Sequence, residues 1–250
     1  MYQFFVEENQ INVSQKRAFI TGPDVNHIKN VLRMKPGEEI SVSNGVDGKE
    51  YRLGILELTD DVINCELRFI KEDGAELPVK VTLFQGLPKA DKMEMIIQKC
   101  VELGVTSIVP VATKRAVMKL EEKKAVSKIA RWQSIAEAAA KQSKRGIIPS
   151  VEMPMTFKEA VAKATVMNTK LIPYELAEDM PKTREIIEAL KPGETIAIFI
   201  GPEGGFDPSE IDLALDNGIT PITLGKRILR TETAGLTIMS WIMYQMDGKN

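Results

Sequence analysis

The chain has 250 residues, with 33 lysines and arginines against 35 aspartates and glutamates, for a formal net charge of −2. Its 44% apolar and 27% charged composition is that of an ordinary globular protein, long enough to bury a substantial core in one large domain or two. No run reaches the roughly 18 apolar residues of a membrane span, the first ten residues lack the pattern of a secretory leader, and Cys65 and Cys100 are isolated, so a reduced cytoplasmic setting is expected.

Along the chain, "YQFFV", "EEISVS", "EYRLGILEL" and "VINCELRFI" read as short strands rich in β-branched or aromatic residues. "NGVDG", residues 44–48, carries two hairpin signals. One helix interrupts these strands: residues 22–38 place Pro23 near a start, repeat apolar Val25, Ile28, Val31 and Leu32, and stop at Pro36-Gly37. "KEDGAELP" is a polar linker. The boundaries expected are a first, β-rich domain over 1–72, a linker over 73–79 and a second domain over 80–250.

From Val79 strands and helices alternate. "VKVTLFQ" is a strand, and a helix follows whose Met93, Ile96, Ile97, Cys100 and Val101 keep the 3.6-residue period, with Gly104 suited to its C-terminal cap. "TSIVPV" is a strand, a long helix spans about 123–143, and "KLIPYE", "TIAIFIG" and "ITPITLG" are further strands separated by helices near 181–190 and 208–216. Such alternation predicts an α/β domain, a mostly parallel sheet with helices on both faces. The last helix, "TETAGLTIMSWIMYQM", is apolar round most of its circumference through Leu236, Ile238, Met239, Trp241, Ile242 and Tyr244, which suits either a central core helix or the interface of a homodimer.

Charge is unevenly spread. Residues 1–79 hold 9 basic and 14 acidic side chains, residues 80–150 hold 14 and 6, and residues 151–250 hold 10 and 15. A cationic block between acidic ones is either a phosphate-attracting surface or a set of solvated lysine-rich helix faces. The single histidine, His27, weakens histidine-based catalysis and most zinc sites, and no metal is expected.

Ligands of open parallel sheets sit at the carboxyl ends of the strands, and three such ends here carry unusual loops: "IPYEL", "IGPEGGF" and "LGKRILRTETA". A strand, a glycine turn and a helix ordinarily hold phosphate, but this turn lacks a lysine and sets Glu203 at its centre. Neither a Walker loop nor a dinucleotide fingerprint has the glycine spacing found here.

"QGLPKADKMEMIIQKCVELGV", "RWQSIAEAAAKQSKR", "IGPEGGFDPSEI" and "LGKRILRTETA", in that order and with the N-terminal "HIKNVLRMKPGE", resemble the ribosomal RNA small subunit methyltransferase E family across essentially the whole chain. The resemblance implies a SPOUT-type, trefoil-knotted C-terminal sheet, a PUA-like RNA-binding β-barrel at the N-terminus, and transfer of a methyl group from S-adenosylmethionine to N3 of one uridine in 16S ribosomal RNA. It implies that Pro173, Tyr174, Gly201, Pro202, Glu203, Gly204, Leu224, Gly225, Ile228, Leu229 and Thr231 hold the methyl donor. Glu203 would accept from a donor hydroxyl or amino group, or cap backbone donors of the loop. Arg230 is the candidate for stabilising a uracil anion, with an ion pair or phosphate anchor as its alternative. Glu232 is a candidate proton acceptor that also sits where a helix's first turn favours carboxylates. Arg33, Lys35, Lys89, Lys92, Lys114, Arg115, Lys141, Lys144 and Arg145 are candidate RNA contacts, and the small ribosomal subunit and a second copy of the chain are the expected partners.

Overall fold

The computed structural model describes the chain apart from residues 73, 119–121, 178 and 250, and apart from the side chains of 122–124. It divides into two compact units, Met1–Glu76 with Ala140–Ile148, and Leu77–Ala139 with Pro149–Asn250.

The first unit contains β1 (Gln3–Phe5), β2 (Ile11–Asn12), β3 (Arg17–Thr21), α1 (Pro23–Asn26), β4 (Glu39–Ser43), β5 (Glu50–Leu58) and β6 (Val62–Lys71). They form one six-stranded sheet in the order β1-β4-β5-β6-β3-β2, with β1–β4 parallel and the other pairs antiparallel. Phe4 of β1 and Ile20 of β3, far apart in that order, share one buried cluster with Ile40, Leu53 and Ile63, so the sheet curls round its own core. The strands expected from 2–6, 38–43, 50–58 and 62–70 are all present.

Residues 22–38 do not form the helix predicted. One α-turn, α1, opens into a wider π turn over His27–Val31, in which the Leu32 N–H reaches His27 O at 2.9 Å and the Met34 N–H reaches Ile28 O at 3.1 Å. The wider winding breaks the apolar spacing. Val25 and Ile28 stay buried, while Val31 is 64% exposed.

The second unit runs β7 (Lys80–Gly86), α2 (Lys92–Glu102), β8 (Ser107–Ala112), α3 (Glu122–Gln142), β9 (Ser150–Val151), β10 (Met155–Thr156), α4 (Phe157–Ala164), β11 (Thr169–Pro173), α5 (Met180–Glu188), β12 (Thr195–Ile200), α6 (Pro208–Asp216), β13 (Thr220–Ile222) and α7 (Thr231–Met246). The end of α3 belongs to the first unit. The sheet order is β10-β8-β7-β12-β11-β13, with β9 also on β8, and every pairing is parallel, as the alternation predicts.

Alternation along the buried strands sends side chains to both faces. On one face Phe84 and Phe199 stack with centroids 4.5 Å apart and pack in a buried cluster with Phe157 and Ala160 of α4 and Ile211 and Ala214 of α6. On the other lies α7: a Cβ on its Gly235 would come within 3.9 Å of Cys100 of α2, Gln85 of β7 and Ile200 of β12. Five elements had not been expected from the sequence: β3, α4 and the two-residue strands β2, β9 and β10. Thr156 and Glu159 close a reciprocal capping box at the start of α4, a signal present in "TFKE".

Candidate functional site

β12, β11 and β13 are neighbours in the sheet and end side by side, so the three loops that leave them meet. The first, after Ile200, turns tightly, with the Gly205 N–H donating to Pro202 O at 2.9 Å and Gly205 at φ +66°. It presses on the end of β7: a Cβ on Gly86 would lie 2.7 Å from Pro202 Cδ and 2.8 Å from Pro202 N. Only glycine fits that approach.

The turn leads into α6, whose N-terminal donors are already used. Asp207 accepts from the Ser209 N–H at 3.1 Å, and Glu210 accepts from the N–H groups of Asp207 and Lys114, both at 2.9 Å. A helix N-terminus filled by its own carboxylates offers little to a phosphate. The chemistry of this glycine turn is therefore that of a neutral or cationic ligand.

Glu203 reaches across to the segment that starts α2. It accepts from the Lys89 N–H at 3.1 Å and from Lys92 Nζ at 2.8 Å. The carboxylate thus clips the turn to a second segment, where the sequence had suggested donors of its own loop or of a ligand. Partial burial would raise the Glu203 carboxyl, but the Lys92 ammonium and the Lys89 N–H outweigh it and hold it below its ordinary 4.5. The hydrogen bond to Glu203 raises Lys92 in turn, with the nearby Glu232 adding to it.

In the second loop, the Tyr174 N–H donates to Ile222 O at 3.0 Å, tying the end of β11 to β13. The third loop is braced by the Thr223 N–H on Thr183 Oγ1 at 3.2 Å and turns at Gly225, φ +103°. It then returns to the first: Thr231 Oγ1 donates to Gly201 O at 2.6 Å and accepts from Nε2 of the buried Gln85 at 2.9 Å. One threonine thus joins β7, the glycine turn and the start of α7.

Together these loops enclose a cavity of about 530 Å³, within the range of small-molecule sites. All the residues expected to hold the methyl donor border it, from Pro173 and Tyr174 through Gly201, Pro202, Glu203 and Gly204 to Leu224, Gly225, Ile228, Leu229 and Thr231. Arg230 borders it too, exposed, with no side-chain ion pair or hydrogen bond among the described residues. Ile228, expected in an apolar slot, is 89% exposed at the margin.

Glu232 is brought near but not into the wall. Its Oε2, buried and without a hydrogen bond, lies 3.4 Å from Lys92 Nζ, an ion pair without hydrogen-bond geometry. Lys92, expected as an RNA contact, is instead a wall residue bridging Glu203 and Glu232. Phe206, Thr223 and Ala234 also border the cavity, and Gln85 braces it from beneath. The sequence signal for Gln85 and Lys92 was their place at the carboxyl end of β7 and the start of α2, on the same sheet edge.

The other candidate RNA contacts divide between the units. Arg33, Lys35 and Lys144 are exposed in the first, as are Lys89, Lys114 and Arg115 in the second. Lys114 Nζ donates to Ser209 Oγ at 2.5 Å and Arg115 to Gly204 O at 3.1 Å, so both have partners near the glycine turn. Lys141 lies 3.9 Å from Asp24. Arg145 leaves the set: it is 1% exposed and its Nε donates to both oxygens of Glu76 at 3.2 Å, so its guanidinium is a structural charge pair inside the first unit.

The RNA methyltransferase domain family matches residues 75–243, and the RNA methyltransferase PUA domain family matches residues 20–64. The ribosomal RNA small subunit methyltransferase E of Bacillus subtilis (strain 168) is 36% identical over 99% of this chain and 98% of its own length. Among solved structures, the ribosomal RNA small subunit methyltransferase E of Neisseria gonorrhoeae bound to S-adenosyl methionine superposes with a TM-score of 0.80 at 34% identity, over 96% of this chain and 95% of the other. A putative methyltransferase of Legionella pneumophila in complex with its bound cofactor SAM gives 0.76 at 32% identity over 91% of each chain. With likeness at this level over nearly the full length of both domains, the chain belongs to the ribosomal RNA small subunit methyltransferase E family.

Proposed function

We propose that the chain methylates 16S ribosomal RNA at N3 of one uridine, with S-adenosylmethionine held in the cavity at the ends of β11, β12 and β13. The observation that carries this reading is the convergence of three loops on one pocket beside an unpaired guanidinium, Arg230. The residues suit that donor: the helix N-terminus is closed to phosphate, the wall carries Glu203, and the backbone of Gly201, Leu224 and Gly225 can meet a sugar and a base. When bound, S-adenosylmethionine supplies an electrophilic methyl group.

The chain's own residues have to make a poor nucleophile reactive. Uracil N3 carries a proton, and its loss to solvent water leaves negative charge on the flanking carbonyl oxygens. A guanidinium facing those oxygens stabilises that charge, and Arg230 is the wall residue suited to it. Glu232, turned to Lys92, is read as a positioning residue that holds the ammonium against Glu203 and so fixes the turn. Gln85 and Thr231 keep the turn and α7 in register, which preserves the alignment of the two reactants.

Three further elements belong to the proposal. Membership of the family supports a threaded, trefoil crossing of these loops. The apolar outer side of α7, with Tyr244 86% exposed, supports a homodimer. An RNA substrate of the small subunit supports action in the cytoplasm.

Calorimetry with S-adenosylhomocysteine tests the pocket, and mass-spectrometric mapping of 16S RNA from cells with and without the gene tests the product. A 3-methyluridine that disappears with the gene is expected. No binding at millimolar ligand, or an unchanged nucleoside map, would reject the reading.

A further inference from the structure

The first unit has a cavity of its own, about 350 Å³, enough for a small ligand. Its floor is polar and fixed. Ser41 and Ser43 of β4 are 2% and 0% exposed, and Gln3 donates through Nε2 to Ser43 Oγ at 3.1 Å and to the Arg145 carbonyl at 3.0 Å. Ser43, fully buried, holds the Gln3 amide in place, and among the described residues Gln3 Oε1 makes no hydrogen bond and is free to accept.

The rim is built by glycines meeting on one carbonyl. A Cβ on Gly74 would lie 2.6 Å from Gly48 O, and one on Gly146 would overlap the same carbonyl group. Glu76 accepts from the Gly146 and Ile147 N–H groups at 3.1 Å while pairing with Arg145, which pins that side of the rim. Just before it, Lys144 takes φ +61°, a left-handed conformation rare outside glycine.

Three cations and one carboxylate, Glu50, surround this floor. Lys71 and Lys144 border it, both exposed and neither in an ion pair among the described residues. Arg52 also borders it, with Glu50 at 2.9 Å on one side of its guanidinium and its Nε buried without a partner. Two unneutralised ammonium groups over an uncharged hydrogen-bonding floor suit a phosphate joined to a sugar or base. The volume exceeds the need of a phosphate alone.

We propose that this cavity is a second RNA site, taking one nucleotide of the substrate with its phosphate on Lys71 and Lys144 and its sugar or base edge on Gln3 Oε1. The assignment rests on the reading of the chain as an RNA methyltransferase. It adds a recognition point in the first unit, separate from the pocket that holds the donor.

The test uses the full-length protein, a 16S RNA fragment in a fluorescence anisotropy titration, and two variants. K71Q/K144Q removes the charges. A75W, at an exposed loop position on the rim, fills the cavity while leaving every charge in place. Each is expected to weaken RNA binding about tenfold, with S-adenosylhomocysteine affinity unchanged by calorimetry. Weakening by the lysine variant alone would mean a counterion surface and overturn the site. RNA affinity unchanged in both would overturn it as well. Uridine monophosphate is expected to bind in calorimetry and to be displaced by the fragment. Inorganic phosphate binding equally well, with no displacement by RNA, would make it a free-anion site and overturn the nucleotide assignment. If the wild type binds S-adenosylhomocysteine but no RNA, the underlying reading fails instead.

Discussion

Arg230 stands at the N-terminal boundary of α7 without a capping hydrogen bond and without an ion pair among the described residues. A buried or paired arginine would have argued for structure. An unpaired one on the cavity wall argues for chemistry. Arg230→Ala is therefore expected to lower the methylation rate by about 10²–10³-fold, the cost of losing one group that stabilises a developing anion. Affinity for S-adenosylhomocysteine should change little, and wild-type turnover would reject the role. The Lys92–Glu203 clip makes a pH prediction at the same scale. Glu203 titrates lower in the folded chain than its ordinary 4.5, so its contribution to stability is complete above that value and is lost as pH falls through the depressed folded value. The melting-temperature gap between wild type and Glu203→Gln should be flat near neutrality and close as pH falls below 4.5. A gap that persists unchanged in acid would show that the clip carries no charge contribution.

Elements succeed or fail according to how much of their environment is local. α2 followed its apolar period because Met93, Ile96, Ile97, Cys100 and Val101 all face one side, and all are 0% exposed. Residues 23–31 carried a similar pattern, yet the π turn put Val31 in solvent, since packing of Val25 and Ile28 against the curled sheet decided the winding. β3 has only five residues, its nearby partner β2 has two, and its longer partner β6 lies more than 40 positions away in sequence, so the local pattern announced it poorly. At the other end of this scale, Gly86→Ala tests the contact between β7 and the glycine turn. The added methyl has to displace the Pro202 ring or backbone, at a cost of about 1–3 kcal/mol. Chemical denaturation should show that loss, together with weakened S-adenosylhomocysteine binding. An alanine variant as stable as wild type would mean that the two loops part freely.

At the scale of the whole molecule, the net charge of −2 conceals the feature that matters for RNA. Exposed cations from the basic stretch, Lys89 and Lys144 together with the partnered Lys114 and Arg115, are candidate phosphate contacts alongside Arg33 and Lys35. With a handful of such contacts, the logarithm of RNA affinity should fall with the logarithm of salt at a slope of about −3 to −5. A flat response would remove phosphate contact as the source of affinity. The outer side of α7 makes a different prediction. Tyr244 is 86% exposed, and Leu236, Trp241 and Met243 are only half-buried within one chain. Tyr244→Glu is expected to shift the chain toward monomer in sedimentation, whereas an unaltered dimer would place the interface elsewhere.

The amino-acid sequence by itself determined the order of most strands and helices, the parallel character of the second sheet, the glycine turns and the family. Those features rest on short-range periodicity, capping and turn chemistry, or on long motifs. The residues expected to hold the donor all border one cavity, because they cluster in three strand-end loops. Tertiary structure alone decided what each charge does there. Glu203 and Glu232 share Lys92 across more than 100 residues of chain, Arg145 is buried on Glu76, and Gln85 meets Thr231. A charged side chain looks the same in a sequence whether it faces water, a carboxylate or a ligand. Only the folding of distant segments onto one another fixes which of these it meets, and with it the energy of its charge.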